Sequence, residues 1–406
     1  MADNKQNTNP NVPNSGNVPR LRFPEFSGEW VKVSLLEICE RVTRKNKNNR
    51  SKLPLTISAQ YGLVDQITFF NKVVASADMS NYYLLKKGEF AYNKSYSSDY
   101  PWGAIKRLDR YDEGALSSLY ICFNIRKCTD SDFAVQYFES PKWYREVSNI
   151  AGEGARNHGL LNIAVGDFFN TKHYLPSSID EQKKIAKLLL LLDQRIATQN
   201  KIIEQLQSLI KGICNNLLYA DKGKSIRLGD IFIERKEKSI INNQYEILSS
   251  TVKGVFSQRD YFSKDIASEN NIGYKIIRLN DIVLSPQNLW MGNINFNDKY
   301  EIGIVSPSYK IFAIKEDFNK IYIANLLKTH RALYNYMQVS EQGASIVRRN
   351  LNLEAFEQLS FKIPDYQEQC RIARILISTQ QKIQLETSLL NKYEEQKKFL
   401  LSNMFI

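Results

Sequence analysis

Apolar residues recur at alternating steps of four and three along two long stretches of the chain. Nine of ten seam positions are apolar in the first stretch and seven of ten in the second. Such a narrow stripe predicts long helices that pack along a seam against another helix. The seam residues are Ile185, Leu189, Leu192, Ile196, Gln199, Ile203, Leu206, Ile210, Ile213 and Leu217 in the first stretch, and Ile372, Leu376, Thr379, Ile383, Glu386, Leu390, Tyr393, Lys397, Leu400 and Met404 in the second.

The two helical stretches begin with the same motif. A proline, Pro176 or Pro364, is followed by a Glu-Gln pair and then by Ile-Ala. The Glu-Gln pairs are Glu181 with Gln182 and Glu368 with Gln369, and the first copy has one residue more after its proline. An internal repeat of this kind predicts that the chain consists of two similar halves.

A segment rich in strand and turn signals precedes each predicted helix. Val33–Ile38 resembles Ile226–Ile231, and Leu84–Tyr92 resembles Ile276–Leu284 in pattern. The expected fold class is α+β, with two pseudo-repeated mixed α/β modules joined by two long antiparallel coiled-coil helices. The expected boundaries are a disordered tail at 1–18, a first module at 19–175, a central helix at 176–220, a second module at 221–362 and a C-terminal helix at 363–406.

The two helices are each other's simplest partners. If they pair antiparallel about a pseudo-two-fold axis, Gln199 and Glu386 meet near the middle of the seam and fix its register. The alternative is that each helix packs only on its own module.

Composition narrows the class of protein. The chain has 406 residues and a formal charge of +12, with 55 Lys and Arg against 43 Asp and Glu. This excess favours anionic partners. The five cysteines form no Cys-x-x-Cys pair and the three histidines have no ligand spacing, so we expect a reducing compartment and no metal. The longest aliphatic run, Leu188–Leu192, is too short to span a membrane, and we expect a cytoplasmic protein.

These features together resemble the specificity subunit of type I restriction-modification enzymes. The resemblance extends from Val18 to the carboxyl terminus. It rests on an ordered set of segments, most of which occur in pairs, rather than on any one of them. They are Val18–Pro24, the openings Trp30–Ile38 and Ile226–Ile231, the glycine-containing turns before Leu161–Ile163 and Leu351–Leu353, and the two Glu-Gln helices.

The resemblance implies two target-recognition domains that each read half of a bipartite, asymmetric sequence in double-stranded DNA, with the helices as a ruler between them. It implies no catalysis and no cofactor on this chain. The expected partners are two methylation subunits, which bind S-adenosylmethionine, and two motor-nuclease subunits, which use ATP and Mg.

Candidate DNA contacts combine amide, cationic and aromatic side chains. The leading segment of each module follows an apolar strand, and the second candidates lie in glycine-containing turns. The same residue types also build ordinary turns, which is the alternative interpretation. The candidates are Tyr92, Asn93, Lys94, Tyr96, Trp102, Lys106, Arg156 and Asn157 in the first module, and Ser285, Gln287, Asn288, Trp290, Arg348 and Arg349 in the second.

Two other classes of protein compete with this interpretation. An enzyme would need a catalytic motif, and the sequence has no Gly-x-Gly-x-x-Gly, no Walker loop and no Asn/Asp-Pro-Pro-aromatic motif. A coiled-coil scaffold with non-specific nucleic-acid binding would explain the heptads, but not two similar modules with polar, aromatic loops.

Overall fold

The computed structural model describes residues 16–97, 100–151, 159–217, 223–261, 270–342 and 349–406. The described chain divides into two compact units. The first contains the described residues up to Asn200 together with Ser388–Ile406, and the second contains Lys201–Thr387. Each unit holds one repeated module and part of both long helices. The predicted mixed α and β fold is confirmed, whereas the finer boundaries between modules and helices stay a prediction.

The first unit contains short strands and helices. Its described strands are β1 (Val31–Ser34), β2 (Cys39–Arg41), β3 (Pro54–Ser58), β4 (Gly62–Asp65), β5 (Tyr83–Lys86), β6 (Phe90–Asn93), β7 (Ala104–Arg107), β8 (Glu113–Leu116), β9 (Ile121–Ile125) and β10 (Lys172–Leu175). Its short helices are α1 (Leu35–Ile38), α2 (Gln66–Phe70), α3 (Ser131–Glu139), α4 (Tyr144–Ile150) and α5 (Val165–Asn170), with a 3-10 helix at Lys47–Asn49. The long helix α6 (Ile179–Leu217) starts in this unit.

A four-stranded sheet with the order β2-β9-β6-β7 lies at the centre of the first unit. Both of its faces are covered. Phe90 and Phe123 belong to the core on one face, while Ala91 and Cys122 belong to the core on the other. The second sheet has the order β4-β3-β8-β5, and β1 pairs with β10. Strands buried on two faces explain why β6 has no polar alternation.

The second unit repeats these elements. Its described strands are β11 (Lys224–Arg227), β12 (Phe232–Glu234), β13 (Leu248–Thr251), β14 (Gly254–Ser257), β15 (Lys275–Arg278), β16 (Asp281–Leu284), β17 (Ile294–Phe296), β18 (Ile302–Val305), β19 (Lys310–Ile314), β20 (Ser340–Gln342), β21 (Arg349–Leu351) and β22 (Ser360–Ile363). Its helices are α7 (Leu228–Ile231), α8 (Gln258–Tyr261), α9 (Lys320–Leu326), α10 (His330–Gln338) and α11 (Leu353–Gln358), with a 3-10 helix at Leu289–Met291. The second long helix is α12 (Tyr366–Asn403).

The central sheets of the two units share their order and register. The order β12-β19-β16-β17 matches β2-β9-β6-β7. Phe90 pairs with Phe123 in the first unit, and Ile282 pairs with Phe312 in the second. One residue further along, Ala91 faces Lys106 and Val283 faces Asn295. These pairs make Lys106 and Asn295 equivalent positions.

The glutamine of the repeated Glu-Gln pair has the same bonds in both units. In the first unit, Gln182 accepts a hydrogen bond from the amide of Asp130 (2.7 Å) and donates one to the carbonyl oxygen of Pro176 (2.8 Å). In the second unit, Gln369 accepts from Asn319 (2.9 Å) and donates to Pro364 (3.0 Å). Asp130 and Asn319 cap the N-termini of α3 and α9. The repeated glutamine therefore ties each module helix to the start of a long helix.

The long helices contribute opposite halves to each core. In the first unit, Leu189 of α6 and Leu400 of α12 belong to one apolar core. In the second unit, Ile213 of α6 packs on the core that contains Leu376 of α12. This is the pairing expected of antiparallel helices.

Two further expectations concern the chain ends and membranes. Residues 1–15 of the predicted disordered tail lie outside the described residues, but 16–18 are ordered: the amide of Val18 donates to Gly16 and that of Trp30 donates to Asn17. The predicted tail is therefore too long at its C-terminal end. Among the described residues, no helix combines the length and the apolar composition that crossing a bilayer requires.

Candidate nucleic-acid interface

In the first unit, the loop after β6 lies next to the described residues that follow the first glycine turn. The chain leaves β6 at Asn93, and the amide of Leu161 donates to the carbonyl oxygen of Lys94 (2.9 Å). The amide of Tyr96 donates to the carbonyl oxygen of Gly159 (2.8 Å). These backbone bonds join the loop after β6 to Gly159 and Leu161, which follow the first glycine turn.

The second unit brings its candidate segments together in the same way. The loop after β16 closes on itself, because the amide of Ser285 donates to Asn293 and that of Asn288 donates to Ser285. The amide of Arg349, at the start of β21, donates to the carbonyl oxygen of Gln287 (3.2 Å). We call the loop 285–293 together with Arg349 the second-unit contact surface.

Tyr92 is a core residue, and its assignment to the contact surface is wrong. The side chain is fully buried, with its ring stacked on Phe168 at 5.0 Å and edge-on to Trp143 at 5.7 Å. Its hydroxyl donates to the carbonyl oxygen of Trp102 (2.7 Å). Burial raises the pKa of the hydroxyl well above its ordinary value of 10.0. Tyr92 fixes the loop that ends at Trp102 and offers no surface to DNA.

The other leading candidates of the first unit differ in the exposure of their side chains. The carboxamide oxygen of Asn93 accepts from the amide of Ser95 (3.0 Å), as in an Asx turn, so part of its role is turn chemistry. Lys94 donates to the carbonyl oxygen of Ile163 (3.3 Å), and Trp102 packs partly buried against the core. Tyr96 is the most open, with 59% of its surface exposed. Of these side chains, Tyr96 is the best placed to stack on a base.

Lys106 is held in an ion pair. Its ammonium lies 2.5 Å from a carboxylate oxygen of Glu139, and its side chain is only 11% exposed. The partner carboxylate neutralises its charge locally, so Lys106 contributes less to attraction of DNA than its type suggests.

In the second-unit contact surface, a cation and an aromatic ring stack. The guanidinium carbon of Arg349 lies 4.5 Å from the ring centroid of Trp290, a cation–π geometry that orients a planar donor group. Gln287 is exposed beside them, and Asn288 is half-buried. Ser285 is buried and serves the loop backbone instead. The exposed amide and the oriented guanidinium are the groups that can reach bases and phosphates.

Several predicted residues remain untested. Arg156, Asn157 and Arg348 lie outside the described residues. Gln199 belongs to the first unit and Glu386 to the second, and their meeting in the seam stays a prediction. Lys328, which is not among the predicted residues, lines a cleft of the second unit. The signal in the sequence is a change of charge between the two copies: Lys328 stands where the first copy has Glu139.

Solved structures of similar fold were found, although the chain matches no protein-family model and no curated protein. The S subunit of a type I restriction-modification system from M. genitalium is 15% identical, with a TM-score of 0.53 over 96% of this chain and 99% of that one. A chain from a structure of the type I R-M system, determined to explain complex assembly and conformational transition, is 11% identical, with a TM-score of 0.55 over 92% and 96%. The chain has the fold of a type I restriction-modification S subunit. This S-subunit fold extends over both units.

Proposed function

We propose that this protein is the DNA-specificity subunit of a type I restriction-modification complex, and that each of its modules reads one half of a bipartite, asymmetric sequence. The observation that carries the proposal is that the same strand-and-loop site occurs twice in a chain with the S-subunit fold along nearly its whole length. The formal charge of +12 supports a polyanionic ligand.

We further propose that the long helices set the spacing of the two half-sites. Helix α6 has 39 residues. At about 1.5 Å per residue, such a helix is about 58 Å long. It is long enough to hold two modules one turn of DNA apart, about 34 Å. Because helices are stiff, the unread spacer of the target is expected to have a fixed length.

The proposed partners are two methylation subunits and two motor-nuclease subunits, which this chain holds on DNA in the cytoplasm. S-adenosylmethionine, ATP and Mg belong to those subunits in this proposal, and the chain itself carries no catalysis. The similar structure that was determined to explain assembly of a type I system supports the scaffolding role.

Mapping methylated adenines in the host genome, with and without this gene, tests the proposal. One asymmetric motif with a fixed gap is expected to be methylated only when the gene is present. Restoring the gene on a plasmid should restore the same motif. An unchanged pattern of methylation after deletion would contradict the proposed function.

A titration of duplex DNA over a range of salt concentrations separates this function from that of a scaffold with non-specific binding. A specificity subunit is expected to bind its motif roughly 10³-fold or more tighter than a scrambled duplex at one salt concentration. Its affinity for both duplexes should fall with salt because counterions are released. Equal affinity for the two duplexes would favour the scaffold.

Replacing Gln287 with Ala is expected to relax specificity at one position of one half-site. A bidentate amide contact to adenine discriminates against other bases by about 1–3 kcal/mol. Binding should be measured against duplexes substituted singly at each position. Gln367→Ala removes an exposed glutamine at the start of α12 and is the matched control, expected to leave all positions unchanged. A uniform loss over all sequences would show that Gln287 acts on the backbone of DNA instead.

A further inference from the structure

The two units contain related clefts with different charges. In the first unit, a cleft of about 440 Å³ is lined by the end of α3 and by α6 and α12. In the second unit, a cleft of about 490 Å³ is lined by α9, by α12 and by the turn between β13 and β14. Helices α3 and α9 begin with equivalent cap residues, and α6 and α12 begin with the same Glu-Gln motif. The residues that line the two clefts can therefore be matched by position.

Lys328 of the second cleft occupies the position of Glu139 in the first. Glu139 lies nine residues after the cap Asp130, and Lys328 lies nine residues after the cap Asn319. In both units the next residue, Ser140 or Thr329, donates its hydroxyl to a helix carbonyl three residues earlier. The match is therefore supported by the hydrogen bonds on either side.

The residue that contacts this position also differs between the two units. In the first unit, Lys106 and Glu139 form an ion pair at 2.5 Å. At the equivalent positions of the second unit, the ammonium of Lys328 donates to the carboxamide oxygen of Asn295 at 2.6 Å. An ammonium–carboxylate pair has become an ammonium–amide pair, so the second unit keeps the contact but gains a net positive charge.

The remaining lining follows the same trend. Asp193 lies twelve residues after Glu181, and Gln380 of the second cleft lies twelve residues after Glu368. The charged residues lining the first cleft are Glu139, Asp193, Glu394, Lys397 and Lys398. Those lining the second cleft are Lys253, Asp298, Lys299 and Lys328. Three ammonium groups and one carboxylate make the second cleft basic, whereas carboxylates predominate in the first.

The ammonium of Lys328 has polar neighbours but no ion pair with the described residues. It donates to the carbonyl oxygen of Gly292 (3.2 Å) and to Asn295, and an ammonium has three donors. Desolvation lowers the pKa of Lys328 to about 8, so the group is still mostly charged at pH 7. Gln380, Gln381 and Gln384 add amide donors on the facing side of the cleft. An anion in the cleft would meet donors from several sides.

We propose that this cleft binds a phosphate group, with Lys328 as the central contact and Lys253 and Lys299 at its rim. The tetrahedrally arranged oxygens of a phosphate group, which is an anion both in DNA and in free phosphate, accept hydrogen bonds from ammonium and amide donors at once. The phosphate can come from the DNA backbone, which would deepen the proposed function, or from a small free molecule. At the first-unit cleft, the ammonium groups of Lys106 and Lys397 are already paired with Glu139 and Asp193, so they are less available to the same group.

The test is a titration of the full chain with inorganic phosphate at pH 7, measured by isothermal titration calorimetry. One phosphate per chain is expected to bind to the wild type. Lys328→Gln should weaken this binding about tenfold or more, because it removes a charge-assisted hydrogen bond. The double variant N295K/K328E recreates the neutral pair of the first unit and should abolish binding while keeping a contact at this position. Lys392→Gln, an exposed lysine of α12, is the charge-matched control.

The same variants with duplex DNA identify the source of the phosphate. If Lys328→Gln weakens phosphate binding and also lowers affinity for all duplexes alike, with a salt slope smaller by about one, the cleft holds the DNA backbone. If phosphate binding is lost and duplex affinity is unchanged, the ligand is a free phosphate compound. Absence of phosphate binding to the wild type, or equal binding by all variants, would overturn the proposal whatever the result with DNA.

Discussion

Replacing Glu181 with Ala is expected to lower the free energy of unfolding of the first unit by about 3–5 kcal/mol, the cost of leaving one partner of a buried ion pair alone. The Glu181 side chain is 2% exposed and accepts two hydrogen bonds from Arg22, at 2.7 and 2.8 Å. The indole nitrogen of Trp30 donates to it as well, at 3.3 Å. Without the carboxylate, the 12% exposed Arg22 side chain keeps its charge but loses its anionic partner, and the carbonyl oxygens of Ser27 and Gly28 still accept from it.

The repeat supplies a matched control for this prediction. Glu368 stands at the same place in the second motif, but it pairs with Arg371 on the helix surface, and the two side chains are 37% and 52% exposed. Glu368→Ala is therefore expected to change stability by about 0.5 kcal/mol or less. Both variants should be unfolded in urea and followed by tryptophan fluorescence. Equal effects would contradict the assignment of a structural role to Glu181 alone.

The contrast between Glu181 and Glu368 shows which features of the fold the sequence could predict and which it could not. The spacing of Pro, Glu-Gln and Ile-Ala predicted two related halves and two long helices, because helix periodicity and caps are local signals. The hydrogen bonds of Gln182 and Gln369 show why the glutamine recurs. The identical glutamates have different surroundings, because Arg22 and Trp30 come from a segment distant in sequence. No local pattern predicts such a partner.

The candidate contact surface was also only partly predictable, because loops follow from local signals whereas burial and ion pairs depend on distant residues. Residues after the ends of β6 and β16 were correctly placed in loops, and Gln287 is exposed there. Tyr92 was misplaced because a strand covered on both faces carries its aromatic residues inward, and sequence alone does not tell which strand is central. Lys106 was counted as a free cation because its partner Glu139 belongs to α3, more than thirty residues away.

A histidine of the first unit is expected to make the protein less stable in acid. His173 is 2% exposed, and desolvation lowers its pKa from 6.5 to about 3. The hydroxyl of Thr171 donates to the carbonyl oxygen of Phe168 (2.7 Å), so it accepts from Nε2 of His173 (2.8 Å). Nδ1 then accepts from the hydroxyl of Tyr137 (2.7 Å). This arrangement fits the neutral ring, and a second proton on Nδ1 would meet the tyrosine hydroxyl donor.

The sign of the effect follows from which state binds the proton. Between pH 6.5 and about pH 3, the unfolded chain protonates this residue and the folded chain does not, so stability falls as the pH is lowered. The contribution is fully present well above pH 6.5, and about 3 kcal/mol of it is lost by about pH 4.5. Urea unfolding should be measured across this range for the wild type and for His173→Gln, which removes the titrating ring. The variant is expected to lose this part of the slope, whereas His330→Gln, on the surface of the second unit, should keep it because His173 is still present. Parallel pH profiles of the wild type and His173→Gln would mean that the ring is protonated in the folded protein, and that the bond between Tyr137 and His173 has the opposite direction.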